Sequence, residues 1–181
     1  MSDTRAYTPG PASGAEVVKE GDDWTLLMVR DLPHAPALVW RALTDPAELR
    51  AWAPFDADHS LAQLGPVTLT TVGAPTTQST VTEVTRADTE RALEFSWGDQ
   101  PMRWALEPHQ GGTRLTLWHR IDRRWIAMGA AGWQICFDVL DRHLAADPIG
   151  RMVGMETMKF PGWQRLHAEF AEQFGVELPA W

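Results

Sequence analysis

The sequence predicts an α+β fold in which a curved antiparallel sheet packs on a long helix near the C-terminus. Between residues 65 and 121, apolar residues recur at every second position in five short segments that turn residues separate. This pattern is typical of an antiparallel sheet with one buried face and one solvated face. After residue 124 the apolar spacing changes to three and four, as in an amphipathic helix. The 181 residues suffice for one domain with its own core.

The elements that precede the sheet follow from local signals. Residues 1–20 carry many prolines and glycines and few apolar anchors, so we expect a flexible tail followed by a single domain over 21–181. Residues 24–30 have the composition of a strand. Pro36 suits the first turn of a helix. A second short helix is expected to start at Asp45, which can cap it.

The sheet itself is predicted from alternation. The expected strands are residues 67–72, 79–84, 91–97, 102–107 and 113–119, with a further strand possible within 55–61. The connections between them are short, and Gly111-Gly112 marks one tight turn, so neighbouring strands should pair antiparallel.

The helical region begins after the sheet. Trp133, Phe137, Leu140 and Leu144 form one apolar stripe and predict a helix over 126–145 that covers the sheet. Residues 146–160 interrupt the helical pattern. An additional C-terminal helix is expected over 161–174, with an apolar side that packs on the domain or on a second copy in a homodimer, and Gly175 as its stop.

Composition excludes several classes of function. Asp and Glu outnumber Lys and Arg by 24 to 16, and the net charge of −8 argues against binding to nucleic acid or to an anionic membrane surface. One cysteine, Cys136, excludes an internal disulfide framework, and the histidines show no metal-site spacing. We therefore expect no metal and no cofactor. No apolar run could span a membrane and residues 1–14 lack a signal pattern, so we expect a cytoplasmic protein.

Several segments together resemble one known family. The matching segments are residues 32–46, 81–84, 93–97, 112–117 and 132–133. They resemble the START-like, or SRPBCC, superfamily and, within it, proteins similar to the C-terminal domain of the activator of the heat-shock chaperone ATPase. The resemblance covers residues 24–145 and leaves 146–181 as a helical extension. It implies a helix-grip fold: an antiparallel sheet wrapped around a long helix, often enclosing an apolar cavity.

A set of mostly apolar residues is predicted to converge between the sheet and the long helix. The predicted ligand-binding residues are Leu69, Phe95, Trp97, Met102, Trp104, Leu117, His119, Trp133 and Phe137. Such a set is consistent with an apolar ligand pocket that holds a few polar groups. It is equally consistent with a solid core, because aromatic residues at strand and helix spacing usually pack against each other.

Two polar residues are candidates for catalysis. His119 shares its predicted strand face with Leu115 and Leu117, and Glu83 shares its face with Val81. If both side chains pointed inward, they could act as an acid–base pair. The simpler expectations are a core histidine whose nitrogens are hydrogen-bonded and a glutamate that pairs with an arginine at the cavity lip.

Three functions are therefore considered. The first is binding of a small hydrophobic, aromatic or lipid-like ligand. The second is an enzyme, such as a cyclase or dehydratase, that acts on a hydrophobic substrate through Glu83 and His119. The third is interaction with a chaperone ATPase, which the family resemblance implies.

Overall fold

The computed structural model describes residues 7–180 and has the α+β, helix-grip architecture that the sequence predicts. The strands are β1 (Ala15–Glu20), β2 (Asp23–Leu32), β3 (Phe55–Ala57), β4 (Gly65–Thr71), β5 (Gln78–Val84), β6 (Arg86–Asp88), β7 (Ala92–Trp97), β8 (Gln100–His109) and β9 (Gly112–Arg120). The helices are α1 (Pro36–Thr44), α2 (Pro46–Trp52), α3 (Ile126–Leu144), α4 (Gly154–Met158) and α5 (Pro161–Phe174).

The strands form two antiparallel sheets that meet at one edge. The larger sheet has the order β1-β2-β9-β8-β7-β6, and the smaller has the order β3-β4-β5. At the junction, the Thr85 N–H donates to the Glu94 carbonyl at 3.0 Å, and the Ser96 N–H donates to the Thr82 hydroxyl at 3.1 Å. These bonds join the two sheets into one curved surface that faces α3.

The buried core lies between this surface and α3. On β8 the side chains of Trp104 and Leu106 are buried, whereas Arg103 and Glu107 are exposed, as expected for a sheet with one solvated face. The predicted helix over 126–145 is α3, whose sheet-facing side is almost fully buried. The short strand within 55–61 is β3.

The N-terminal segment differs from the prediction of a flexible tail. Residues 15–20 form β1 and pair with β2, and the preceding residues lie against α3 and α5. Gln134 donates to the Pro11 carbonyl at 3.0 Å, and Arg165 donates to the Gly10 carbonyl at 3.1 Å. A count of apolar anchors does not anticipate this arrangement, because hydrogen bonds to its backbone help to hold the segment. Ala15 is also buried, and Tyr7, Ala12 and Val17 pack against the core. Residues 1–6 of the predicted tail lie outside the described residues.

The C-terminal extension packs on the domain. Trp163, Leu166 and Phe170 of α5 are buried, and α5 contacts α3 within the same chain. The apolar stripe that could have served a homodimer is thus largely covered by the protein itself. The helix ends at Gly175, whose φ of 65° places it in the left-handed conformation that favours glycine. The interrupted segment between the two long helices contains α4, which the sequence pattern did not predict.

Candidate ligand-binding site

One end of the space between sheet and α3 is solidly packed. The Trp104 ring meets Phe137 edge-on with centroids 6.2 Å apart, and Trp52 of α2 contacts both rings. Leu69 and Leu117 are also fully buried in this core. The predicted ligand residues that are buried in the core and do not line the apolar pocket are Leu69, Phe95, Met102, Trp104, Leu117 and Phe137. In the structure these six side chains are part of the packed core.

The other end of the same space contains a pocket of about 250 Å³. It lies beside the N-terminal half of α3, at the ends of β7, β8 and β9. Three of the predicted residues, Trp97, His119 and Trp133, line it. Most of the remaining lining is apolar: Pro54, Gln100, Ile121, Trp125, Met128, Gly129, Gly132, Cys136, Met152, Val153, Gly154, Thr157, Met158 and Trp163.

The segment around α4 covers this pocket and is fastened to the smaller sheet. Arg151 donates to the Phe55 carbonyl at 3.0 Å and to the Asp56 carboxylate at 2.8 Å. Gly154 lies against Gly73 so closely that a Cβ on Gly154 would be 2.6 Å from the Gly73 Cα. Gly154 also has a φ of 73°, so both space and backbone conformation favour glycine there. The cover is therefore held in place by specific contacts.

His119 is buried with both ring nitrogens in hydrogen bonds. The Trp133 Nε1–H donates to His119 Nδ1 at 3.0 Å. An indole nitrogen is only a donor, so Nδ1 carries no proton and the proton is on Nε2. That N–H donates to the Gln100 Oε1 at 2.8 Å. Burial lowers the pKa of His119 to about 3, so the ring is neutral at physiological pH.

Gln100 is a polar pocket residue that the sequence interpretation missed. It falls in the connection between the predicted strands 91–97 and 102–107, whereas the structure places it at the start of β8, opposite Trp97. It is two residues before Met102, which lies opposite His119. Diagonal neighbours of this kind lie on one sheet face, which explains the bond between Gln100 and His119. Extending the alternation of Met102 and Trp104 backward by two residues would have found it.

Glu83 does not face the pocket. Its side chain is exposed, as is Val81 on the same side of β5, whereas Thr82 and Val84 are buried. The face of β5 was misassigned because Val81 was read as an inward apolar residue. The inward position instead belongs to Thr82, whose hydroxyl accepts the Ser96 N–H. Glu83 lines a groove on the outer side of the sheet, so the acid–base pair with His119 does not exist in this structure.

The pocket lining carries no Asp, Glu, Lys or Arg side chain. Cys136 is part of it, and burial raises the pKa of its thiol to about 12, so the thiol is protonated and a poor nucleophile. The pocket is therefore an uncharged, mainly apolar surface with several indole rings and a few polar groups.

Among residues 7–180, no group of three or more His, Cys, Asp or Glu side chains is arranged to hold a metal ion. Over the same residues, no helix is long and apolar enough to cross a membrane.

Solved structures support the fold. The conserved protein of unknown function EF2215 from Enterococcus faecalis superimposes with a TM-score of 0.67 at 15% identity, covering 88% of this chain and 89% of that one. CalU16 from Micromonospora echinospora gives a TM-score of 0.64 at 20% identity, with 90% and 92% covered. An AHSA1-like protein from Aeromonas hydrophila gives 0.55 at 18% identity, with 67% and 92% covered.

Sequence comparison adds the family. No curated protein matches the chain. The family model described as "Activator of Hsp90 ATPase homolog 1-like protein" matches residues 33–145, which run from the loop before α1 to the end of α3 and include part of the pocket wall. With the helix-grip fold and this match over most of its length, the chain belongs to the Activator of Hsp90 ATPase homolog 1-like family.

Proposed function

We propose that this protein binds a small, uncharged, aromatic molecule in the pocket between the N-terminal half of α3, the ends of β7–β9 and the α4 cover. The observation that carries the proposal is the difference in packing between the two ends of the space between the sheet and α3. The interior is packed with aromatic rings at one end, yet a pocket of about 250 Å³ remains at the other. Protein interiors are otherwise close-packed, so an apolar pocket of this kind is a favourable place for a ligand.

The size and lining of the pocket indicate the class of ligand. A dry apolar cavity of about 150 Å³ holds one benzene molecule, so a larger, bicyclic ligand fits here. The indoles of Trp97 and Trp133 form part of the wall, and aromatic rings pack favourably against a planar ring. The flexible thioethers of Met128, Met152 and Met158 line the same pocket and can adapt to the ligand outline.

A catalytic role has less support. A general base needs a free lone pair within reach of the substrate. The one lone pair of neutral His119 already accepts the Trp133 N–H, and Glu83 is exposed on the opposite side of the sheet. The cyclase or dehydratase alternative therefore lacks its proposed pair of residues.

The experiment is a ligand titration of the unaltered protein and of a variant with a filled pocket. Gly132 of α3 lines the pocket, and a Cβ built there has no neighbour within 4 Å. Gly132→Leu therefore places a side chain in the pocket without displacing the core, and Gly132→Ala is the matched control. Binding of 2-substituted naphthalenes is followed by tryptophan fluorescence and by the melting temperature.

We expect the unaltered protein and Gly132→Ala to bind and to melt higher with ligand, because a ligand that binds only the folded state stabilises it. We expect Gly132→Leu to remain folded and to lose binding by at least about tenfold, since its side chain occupies the ligand volume. Equal binding by all three proteins would reject this pocket as the site.

The family match is the observation that favours a second candidate, stimulation of an Hsp90 ATPase. Measuring the ATPase rate of purified Hsp90 with and without this protein tests it. A rate increase that Gly132→Leu leaves unchanged would place that activity on another surface.

A further inference from the structure

We propose that Gln100 determines ligand specificity by donating a hydrogen bond from its amide nitrogen to an uncharged oxygen acceptor, such as a ketone, quinone or amide carbonyl, on a planar ligand. This inference rests on the proposed function and names the chemistry that the pocket recognises.

A chain of hydrogen bonds fixes which end of the Gln100 amide is available. The chain starts at the Trp133 indole N–H, which can only donate, and this sets the proton of His119 on Nε2. His119 in turn donates to the Gln100 oxygen at 2.8 Å. The oxygen of Gln100 is thereby engaged, and within residues 7–180 its NH₂ group donates to no protein acceptor. Because Gln100 lines the pocket, this NH₂ group is the donor that it can offer to a ligand.

The backbone also fixes where this donor lies. Trp97 and Gln100 are opposite each other across a two-residue turn, so their side chains share the inner face of the sheet. The Trp97 ring stacks on His119, with centroids 5.9 Å apart and planes inclined by 25°. Its indole N–H is already bonded to the Thr71 hydroxyl at 2.9 Å. The Trp97 indole therefore needs no polar partner from a ligand, whereas the Gln100 amide in the same lining can provide one.

The lack of charged side chains in the pocket lining favours a neutral acceptor over an anion. The pocket lining contains no Lys or Arg, and His119 is neutral. A carboxylate transferred from water into this pocket would lose its hydration without gaining a cation. A carbonyl oxygen has a much smaller hydration cost, which one amide N–H can offset. The expected ligand class is thus a neutral aromatic carbonyl compound.

The test uses two planar ligands of closely matched shape, 2-acetonaphthone and the hydrocarbon 2-isopropenylnaphthalene, which differ by a carbonyl oxygen in place of a methylene group. Dissociation constants are measured for both ligands with the unaltered protein, with Gln100→Leu and with Gln100→Glu. For each protein, the dissociation constant of the ketone is divided by that of the hydrocarbon. Comparing this ratio between proteins cancels the difference in water solubility between the two ligands.

In Gln100→Leu we expect the ketone to bind more weakly relative to the hydrocarbon, so that this ratio rises by about three- to tenfold. A change of this size corresponds to the loss of one neutral hydrogen bond. At a pH at which its carboxyl group is ionised, Gln100→Glu keeps an oxygen for the His119 N–H and removes the donor. It therefore shifts the ratio in the same direction even if Gln100→Leu folds poorly. The 2-naphthoate anion is expected to bind the unaltered protein more weakly than the ketone.

Two results would overturn the assignment in distinguishable ways. If both naphthalenes bind and the ratio is the same in all three proteins, the pocket is a ligand site but Gln100 does not determine specificity. If neither naphthalene binds the unaltered protein, the proposed function fails together with this inference.

Discussion

The two ends of the space between the sheet and α3 carry similar residues and differ in packing. At the packed end, Trp52, Trp104 and Phe137 are fully buried and contact one another. At the open end, Trp97 and Trp133 border a pocket of about 250 Å³. Aromatic residues at strand and helix spacing therefore do not by themselves tell a core from a binding site.

The difference lies in what closes each end. The packed end is closed by α2, which inserts Trp52 and fixes its indole N–H on the Ala42 carbonyl at 2.9 Å. The end that contains the pocket is covered by the irregular segment around α4. There α3 carries Gly132, which has no side chain to fill the space. The Trp52 ring fills the packed end, whereas the lack of a side chain at Gly132 leaves space at the end that contains the pocket.

The largest expected effect is the difference in unfolding free energy lost when a side chain is truncated at each of the two ends. Trp104→Ala at the packed end should lower the free energy of unfolding by about 3–5 kcal/mol, because it removes a ring from a close-packed core. Met152→Ala, at the half-buried lining of the pocket, should cost less than about 1 kcal/mol, because its side chain already lacks neighbours on one side. Urea unfolding of both variants measures this, and equal losses would mean that the two ends are packed alike.

Acid should weaken the open end through His119. Its pKa is about 3 in the folded protein against 6.5 ordinarily, so below pH 6.5 the unfolded state binds a proton that the folded state does not. The free energy of unfolding should therefore fall with decreasing pH between 6.5 and about 3, by about 1.4 kcal/mol per pH unit.

The control for this effect is His119→Leu, in which this contribution to the pH dependence is absent. Burial also lowers the pKa of His167, but that residue is present in both proteins and its contribution cancels in the comparison. Identical slopes of stability against pH in the two proteins would show that His119 titrates as freely as it does in the unfolded chain.

A smaller effect compares two glycines of the pocket. Gly154→Ala should destabilise by about 1–3 kcal/mol, because of its φ of 73° and its contact with Gly73. Gly132→Ala lies in a helix with free space around its Cβ and should stabilise by about 0.5–1 kcal/mol. Thermal unfolding of both variants measures these two changes in stability. A neutral Gly154→Ala would mean that the cover is not tightly fastened to the smaller sheet.

Much of the fold was predictable because its signals are local. The alternation of apolar residues located the central strands, and the helix over 161–174 coincides with α5. The predicted cap at Asp45 is formed, since its carboxylate accepts the Ala47 N–H at 2.8 Å. These features depend on residues that are neighbours in the sequence.

The candidate site was only partly predictable because its missing parts depend on distant contacts. The segment before β1 is held by side chains more than a hundred residues away, such as Gln134 and Arg165. The pocket cover depends on Arg151 and on the approach of Gly73 to Gly154. No periodicity records such contacts, so the pattern identified an aromatic interior without showing which end stays open.

The most direct test of a ligand site at the open end uses the methyl groups of methionine in NMR spectra. Met128, Met152 and Met158 line the pocket, whereas Met28 is buried on β2 opposite Leu117, away from the pocket lining. When 2-acetonaphthone is added to protein labelled with ¹³C at methionine methyl groups, the three pocket signals should shift and saturate together, and the Met28 signal should stay in place. Saturable binding that shifts Met28 and leaves the three pocket signals unchanged would contradict the account.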